Sequence, residues 1–406
     1  MTSPPTAGTT HGIRLVLAGV VANTAVGTLF AWSLVAEDAA REAGLPPGAS
    51  AAVFAGAIGV FTAVLLGAGR VSRLLSPRTL LVAASAAGGP GLLLAALWQH
   101  PLALWSGVAG LFGAAGGVAY SVATSLAARV PAPRRGTATG LVVAAYAAGP
   151  VLLGMVGPPL LTEHGWRTGL VSLGFAVTGL LLLAAWLAPG DAPLAKTALA
   201  GDAVQHRGAA ATTALLWLVF AGGAAPALMV FANAVPLAAV RGLDLRGAGL
   251  AVSLLAAGNL LGRVLAGWLA DRVGSLSALG GVVALCALSL LGLAGIGTPS
   301  ALLACFAGLG LSYGAVSALV PVATADLLGT DRFPQTYARV FTGWGAAGLA
   351  APNVGAWLVD LADRTPAMFT LALAPLLPAG AALLALGRRP RSRSAEHRLE
   401  VPLRRS

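Results

Sequence analysis

Long apolar segments recur along the whole chain and restrict the folds that it can adopt. Twelve can be marked, and each is long enough to cross about 30 Å of hydrocarbon as a helix, which takes roughly 20 residues. They cover residues 13–36, 51–69, 79–98, 102–128, 136–161, 168–188, 212–239, 247–270, 276–297, 299–324, 335–360 and 366–387. Only 10% of the residues are charged, against roughly 25% in soluble domains. The sequence therefore predicts an all-α membrane protein with twelve transmembrane helices.

The distribution of basic residues predicts how the chain is oriented in the membrane. With the amino terminus in the cytoplasm, 19 of the 25 basic residues lie on cytoplasmic loops and tails, five face outside, and Arg263 lies inside the eighth segment. An excess of Lys and Arg on the cytoplasmic side is the usual orientation signal. We therefore expect a multi-pass protein of the plasma (inner) membrane with both termini cytoplasmic. No cleavable signal peptide is predicted, because no small-residue cleavage site follows the first apolar core.

A polar stretch separates six apolar segments from six. It reads "GDAPLAKTALAGDAVQHRGA" and is the longest loop of the chain. A comparable element closes the second helix of each half, "GRVSRLLSPR" at 69–78 and "GWLADRVG" at 267–274. Such a repeat indicates duplication, and two pseudo-symmetric six-helix bundles joined by a linker are typical of secondary transporters. The predicted parts are a tail (1–12), a first bundle (13–189), a cytoplasmic linker (190–211), a second bundle (212–387) and a basic tail (388–406).

Arg263 is the one basic residue deep inside an apolar segment, away from the segment ends. It precedes Asp271 by eight residues, about 12 Å of helical rise, which places it near the membrane midplane if the Asp271 loop marks the boundary. A central arginine costs about 2.5 to 3.5 kcal/mol on insertion scales. Its helical face carries small and polar residues, whereas the opposite face is bulky. The small face is Val252, Ala256, Asn259, Ala266, Gly267 and Ala270, and the bulky face is Leu250, Leu254, Leu261, Leu265 and Trp268.

The charge of Arg263 needs a partner that the chain does not offer at that depth. All 14 acidic residues fall in loops, helix ends or tails. Two explanations are open: a substrate that brings its own carboxylate, which a planar guanidinium binds through two hydrogen bonds, or a structural arginine capped by backbone carbonyls. We favour the substrate. Asn259, one turn earlier, adds an amide to the same site, and a single buried positive charge is balanced by a monoanion.

"GWLADRVG" and the twelve-helix plan resemble the major facilitator superfamily. The segment fits the Gly-x-Leu-x-Asp-Arg-x-Gly loop of that family, with Gly267, Asp271, Arg272 and Gly274 at its defining positions. The resemblance implies two bundles that rock about a central site. Two interpretations of Asp271 and Arg272 are open: they pin neighbouring helix ends during that movement, or they form a charge pair within the loop.

Four stretches are similar to the oxalate/formate antiporter branch of this superfamily, which is related to the monocarboxylate transporters. They are "GNLLGRVLAGWLADRVG" (258–274), "YARVFTGWGAAGLAAP" (337–352), "GTLFAWSLV" (27–35) and "RRGTATGLVVAAYAAGP" (134–150). In that branch the arginine of helix 8 binds the substrate carboxylate, which corresponds to Arg263. Aromatic residues of helices 1, 4, 5 and 10 enclose the substrate there. The matching candidates are Phe30 or Trp32, Tyr120, Tyr146 and Tyr313.

Two departures from these relatives narrow the expected substrate and coupling. Oxalate carriers have a second basic residue, a lysine, on helix 11, whereas the matching stretch "FTGWGAAG" has no charge and offers Trp344 as a further candidate for substrate contact. This argues against oxalate. Proton-coupled monocarboxylate transporters carry an aspartate one turn before the arginine of helix 8, where this chain has Asn259. This argues against coupling through a carboxylate.

The expected function is secondary active transport of small organic anions, in particular monocarboxylates, by alternating access and exchange. The main alternative is a drug or metabolite/proton antiporter of the same superfamily, suggested by "YAAGPVLLG" on helix 5 (146–154). A membrane sensor or receptor is a more distant alternative, because the longest soluble stretch has about 20 residues. No motif indicates an enzyme, a cofactor or a metal site. We expect the lipid bilayer and a carboxylate as partners, with no nucleic acid and no obligate protein partner.

Overall fold

The computed structural model describes residues 7–46, 49–189, 205–360, 369 and 371–388. In these ranges all the regular elements are helices, and nine of them are long and apolar enough to cross a membrane. Helices satisfy their own backbone hydrogen bonds, which a bilayer cannot do for them. The prediction of an all-α membrane protein is confirmed.

The first half contains the first six apolar segments, and the fifth and sixth of them lie in one long helix. Its helices are α1 (Ala7–Gly27), α2 (Ala36–Glu42), α3 (Ala49–Val71), α4 (Pro77–Leu97), α5 (Pro101–Ala103), α6 (Gly113–Ala128) and α7 (Ala132–Leu187). α7 holds the fifth and sixth segments and breaks at Gly165, whose φ of 78° ordinary side chains rarely adopt.

Two irregular segments interrupt the first half. A 3₁₀ segment, Thr28–Leu34, continues α1, and a π-helical segment, Leu104–Phe112, joins α5 to α6. At the first of these the Thr28 hydroxyl donates to the Ala25 carbonyl at 2.6 Å. That bond competes for the acceptor that a continuing α-helix would use. The first apolar segment is therefore helical as far as Leu34 but changes from α to 3₁₀ at Thr28.

The second half repeats this plan. Its helices are α8 (Gln205–Ala232), α9 (Ala234–Val240), α10 (Leu245–Val273), α11 (Ser275–Gly295), α12 (Pro299–Leu328), α13 (Phe333–Asp360) and α14 (Leu376–Gly387). Part of the predicted linker, residues 190–204, lies outside the described residues, and α8 begins at Gln205, within the predicted linker range. The predicted domain limits stay predictions.

Packing joins the helices within each half and, more sparsely, between halves. In the first half α1 and α4 pack on α7, and α3 packs on α6; in the second half α10 and α11 pack on α12, and α13 packs on α8. Between halves α7 contacts α10, and α13 contacts α3 and α6. We call the side of the bundle that holds the ends of α3, α6 and α10 the linker side, and the opposite side the far side.

Candidate functional site

From Arg263 to its carboxyl-terminal end, α10 buries its small face and exposes its bulky face. Leu261, Leu265 and Trp268 on the bulky face are exposed, whereas Ala266 and Ala270 on the small face are buried. The small face packs closely because glycines oppose it: a Cβ at Gly140 of α7 would lie 2.6 Å from the Arg263 carbonyl oxygen. Small residues of this kind let helices approach where lipid supplies no hydrophobic drive.

Arg263 lies between the halves and is 7% exposed. Its Nε donates to Oδ1 of Asn259 on the same helix at 3.2 Å, and its Nη1 donates across the interface to the Val143 carbonyl of α7 at 2.9 Å. None of the ion pairs within the described ranges involves this guanidinium. Neutral oxygens therefore hold the guanidinium at Nε and at Nη1. No described acidic residue pairs with its charge.

All four tyrosines of the chain lie within electrostatic range of this guanidinium. They come from both halves: Tyr120 and Tyr146 from α6 and α7, Tyr313 and Tyr337 from α12 and α13. The Tyr120 and Tyr146 rings meet edge to face with centroids 5.2 Å apart. The structure thus brings three predicted site residues and one unpredicted residue, Tyr337, within electrostatic range of Arg263.

Two phenylalanines that the sequence did not single out complete this aromatic group. The Phe61 ring of α3 lies 5.7 Å from Tyr120 and 5.9 Å from Phe341 of α13, measured between centroids. Tyr337, Phe341 and Trp344 follow each other at spacings of four and three residues, which places them on one face of α13. That spacing was the available signal for Tyr337 and Phe341.

Trp344 contacts the group from α13 and holds a predicted site residue in place. Its Nε1 donates to the Tyr313 hydroxyl at 2.8 Å, and its ring lies 5.1 Å from that of Phe341. Tyr313 in turn contacts the ring of Phe231 on α8 at 5.5 Å. Trp344 is thus adjacent to the site, with its single donor bonded to Tyr313.

Phe30 and Trp32, alternatives from helix 1, point to different places. The Phe30 ring is 40% exposed and meets Tyr146 edge to face at 5.7 Å. Trp32 is buried in the core of the first half and lines a narrow apolar cavity with Leu92 and Leu170. The structure brings Phe30, but not Trp32, into the aromatic group.

The predicted loop residues lie at the linker-side end of α10, where the halves meet. The Asp271 carboxylate accepts from the backbone amides of Gly136 and Thr137 at 2.7 and 2.8 Å and from the Thr137 hydroxyl at 2.5 Å. Arg272 does not share this contact, because its guanidinium carbon lies 3.9 Å above the Trp268 ring. Gly274, with φ of 85°, ends α10.

Other contacts hold the halves together on the linker side. Gly267 of α10 faces Gly136 of α7, and a Cβ on either would clash with the backbone of the other. Arg135 donates to Asp326 of α12 at 2.8 Å, and Asp326 also accepts from Ser275 at 2.8 Å.

Toward the far side, the face of α10 that carries Arg263 is open. Ala256 and Val252, two and three turns from Arg263 in that direction, are exposed. Phe30, which lies against Tyr146 and follows α1 in the 3₁₀ segment, is exposed as well.

Comparison with known proteins identifies the family. The family model of the Major Facilitator Superfamily matches residues 15–329 and 218–404. The chain belongs to the major facilitator superfamily. Its fold is therefore the twelve-helix fold of these transporters, in two six-helix halves.

Curated relatives and solved structures agree with membership of the major facilitator superfamily. The mouse protein named monocarboxylate transporter 11 is 30% identical over 299 residues, 69% of this chain and 65% of that protein. The human protein of the same name is 30% identical over 301 residues, 69% of this chain and 62% of that protein. The match thus spans less than two thirds of the length of these relatives.

Two solved structures show the same fold at low sequence identity. The major facilitator transporter FucP in the outward conformation aligns with a TM-score of 0.72 and 14% identity, over 94% of this chain and all of FucP (100%). The human organic anion transporter MFSD10 aligns with a TM-score of 0.64 and 14% identity, over 93% of this chain and 100% of that chain.

Proposed function

We propose that this major facilitator protein is a secondary active transporter of small organic anions, in particular monocarboxylates. The observation that carries the proposal is the bonding of Arg263. A guanidinium has five N–H donors, and in the described part of the chain Arg263 uses one for Asn259 and one for Val143. Free donors on a buried cation favour a carboxylate ligand, since charge-assisted bonds are about twice as strong as neutral ones.

The surroundings of Arg263 favour an anion with one negative charge. Among the described residues, Arg263 bonds an amide and a backbone carbonyl and has tyrosines within electrostatic range, and none of these groups carries a charge that would balance a second carboxylate. Monocarboxylates such as formate, pyruvate or lactate-like anions match one guanidinium. The names of the mouse and human relatives, monocarboxylate transporter 11, support the same substrate class.

Each predicted site residue has a part in this proposal. Arg263 binds the carboxylate, and Asn259 orients the guanidinium through Nε. Tyr120, Tyr146, Tyr313 and Phe30 enclose the rest of the anion, with Trp344 fixing Tyr313 and Trp32 supporting helix 1 from the core. The three tyrosines present rings and hydroxyls and Phe30 presents a ring, and together these groups suit a short carbon chain with further oxygens.

Transport proceeds by alternating access of the two halves to the Arg263 site. In the described conformation Asp271 and the facing glycines Gly136 and Gly267 close the linker side. Arg272 and Gly274 lie next to that contact, at the end of α10. The empty carrier keeps a buried charge without a counter-ion as it reorients, whereas the loaded carrier does not. Exchange of one anion for another follows from this difference.

The orientation in the membrane is part of the proposal. The excess of basic residues on one side of the chain supports cytoplasmic termini in the plasma (inner) membrane. The linker side is then the cytoplasmic side, and the far side faces outside. In this orientation, the Arg263 site of the described conformation is accessible to anions from outside.

Uptake into proteoliposomes tests the proposal. Purified protein is reconstituted with internal unlabelled anion, and uptake of labelled mono- and dicarboxylates is compared for the unchanged chain, Arg263→Gln, Arg263→Lys and the control Arg246→Gln. We expect monocarboxylate uptake with a KM that rises about 30-fold or more in Arg263→Gln, because a buried charge pair loses one partner. Arg263→Lys keeps the charge without the planar fork and should lie between.

Two results would contradict this assignment. Equal uptake by Arg263→Gln and Arg246→Gln would remove Arg263 from the site. Preferred transport of cationic or neutral amphiphiles, driven by a proton gradient, would support the drug/proton antiporter alternative.

A further inference from the structure

A pair of buried tyrosine hydroxyls joins the two halves. Tyr120 of α6 and Tyr337 of α13 lie 3.2 Å apart at their hydroxyl oxygens. Their exposed fractions are 4% and 2%. Either hydroxyl can donate to the other, and the bond crosses from the first half to the second.

The pair lies between Arg263 and the linker side. Tyr337 is four residues from the start of α13, Tyr120 eight from the end of α6 and Arg263 ten from the end of α10. At 1.5 Å per residue these positions are about 6, 12 and 15 Å from the linker-side helix ends. A solute that leaves Arg263 toward the linker side therefore meets this pair first.

Aromatic rings close the space around the two hydroxyls. Phe341 contacts both tyrosines, at 5.3 Å from Tyr120 and 5.8 Å from Tyr337 between centroids. Phe333 stacks on Tyr337 at 5.0 Å, and Phe61 contacts Tyr120 at 5.7 Å. A hydroxyl in such apolar surroundings is costly unless it is hydrogen-bonded. Each tyrosine therefore needs the other while the halves are together.

We propose that Tyr120 and Tyr337 form the linker-side gate of the Arg263 site, with Tyr337 as the residue that positions the Tyr120 hydroxyl in the closed state. This inference rests on the alternating access of the proposed function. The hydroxyl pair stabilises the conformation in which the linker side is closed, and it breaks when the halves part there. Tyr337 is thus a functional residue of α13, although it does not reach the substrate from the open far side.

The chain offers a matched control for this pair. Tyr313 also has a buried ring and a bonded hydroxyl, but its partner, Trp344, belongs to the same half. Separation of the halves leaves that bond intact. Tyr313→Phe therefore removes a comparable hydrogen bond without affecting a contact between halves.

Cysteine labelling on either side of the site tests the gate without any substrate. In a background with Cys286→Ala and Cys305→Ala, a reporter cysteine replaces either Ala256, toward the far side, or Ala270, toward the linker side. Labelling rates with a membrane-impermeant maleimide are measured in vesicles of both orientations. Ala256 is exposed and Ala270 is buried on the same face of α10, so the two reporters respond in opposite directions to opening of the linker side.

We expect Tyr120→Phe and Tyr337→Phe each to raise the labelling rate at position 270 about fivefold, the population change that loss of one buried hydrogen bond produces. Labelling at position 256 falls in the same variants, and Tyr313→Phe changes neither rate. The double variant shifts the rates no more than the larger single change, because both substitutions remove the same bond.

Unchanged labelling at position 270 in both single variants would overturn the gate. Additive shifts in the double variant would overturn the pairing of the two hydroxyls. Because labelling requires no anion, it distinguishes failure of the gate from failure of the proposed substrate, which the uptake assay measures.

Discussion

Asp271 accepts hydrogen bonds from both the backbone amide and the side-chain hydroxyl of Thr137, which belongs to the other half of the molecule. The carboxylate also accepts from the Gly136 amide, so one side chain of α10 holds three donors near the start of α7. The family loop is therefore a contact between halves in this conformation, and Asp271 rather than Arg272 makes it.

Removing the charge of Asp271 should open the linker side. Asp271→Asn keeps one acceptor oxygen but loses the charge-assisted bonds, which contribute about 1.5 to 3 kcal/mol each. We expect the population with an open linker side to rise about tenfold or more. Double electron–electron resonance measures this population from the distance between two spin labels. The labels replace Val71 and Val273, which are exposed at the linker-side ends of α3 and α10.

Asp244→Asn is the matched control for that measurement. Asp244 caps the other end of α10 by accepting from the Gly247 amide at 2.8 Å, within its own half. Its removal should leave the distance distribution unchanged. A distribution in Asp271→Asn identical to that of Asp244→Asn would show that the Asp271 contact does not hold the halves together.

A methyl group at Gly140 should have a similar effect by a steric route. The added Cβ would lie 2.6 Å from the Arg263 carbonyl oxygen and 3.1 Å from the Gly267 Cα. These are backbone atoms, which cannot relieve the clash by changing a side-chain rotamer. We expect Gly140→Ala to destabilise the closed linker side by about 1 to 3 kcal/mol, as overpacking does. Spin-label distances report the opening, and a shift in Gly140→Ala no larger than in Gly249→Ala, where the methyl group meets nothing within 4 Å, would contradict it.

The number and type of helices could be predicted because a bilayer leaves a spanning chain few alternatives. The breaks within segments could not. The 3₁₀ turn after Gly27 coincides with a Thr28 hydroxyl bond to the main chain, and the break between the fifth and sixth segments depends on Gly165 alone. Such details follow from local competition for backbone acceptors, which apolar periodicity does not contain.

Part of the site was predictable for a related reason. Arg263 and Asn259 stand out because polar groups inside a membrane are costly and therefore rare. The Val143 carbonyl that binds Arg263 has no signature in the sequence, since every residue carries a carbonyl. The Tyr120–Tyr337 contact joins residues 217 positions apart, and only the arrangement of α6 against α13 reveals it.

On the far side, a carboxylate should make stability depend on pH. Glu42 accepts from the Trp166 indole at 2.8 Å and from Arg167 at 2.5 and 3.1 Å, and these bonds lower the pKa of Glu42 below its ordinary value of 4.5. A lowered pKa stabilises the fold above pH 4.5, and this contribution disappears as the pH falls through the lowered pKa. Glu42→Gln should therefore lower the melting temperature at pH 7 and converge with the unchanged chain in acid.

Glu163→Gln is the comparison for the pH series. Glu163 is on the same side, is largely exposed and, among the described residues, has only a 3.9 Å contact with His164. It should melt as the unchanged chain does at pH 7. Melting curves of Glu42→Gln that run parallel to those of the unchanged chain from pH 7 to pH 3 would show that the Glu42 contacts add no pH-dependent stability.

Phe30 and Trp32 should respond oppositely to truncation, because one lies in the aromatic group and the other in the core of the first half. Trp32→Ala removes a buried ring and should cost about 3 to 5 kcal/mol, seen as a lower melting temperature. Phe30→Ala removes a ring that is 40% exposed and should leave the melting temperature nearly unchanged while raising the KM for anion uptake. Uptake with an unaltered KM in Phe30→Ala would exclude this ring from the substrate site, and an altered KM in a normally stable Trp32→Ala would assign the helix 1 contact to Trp32 instead.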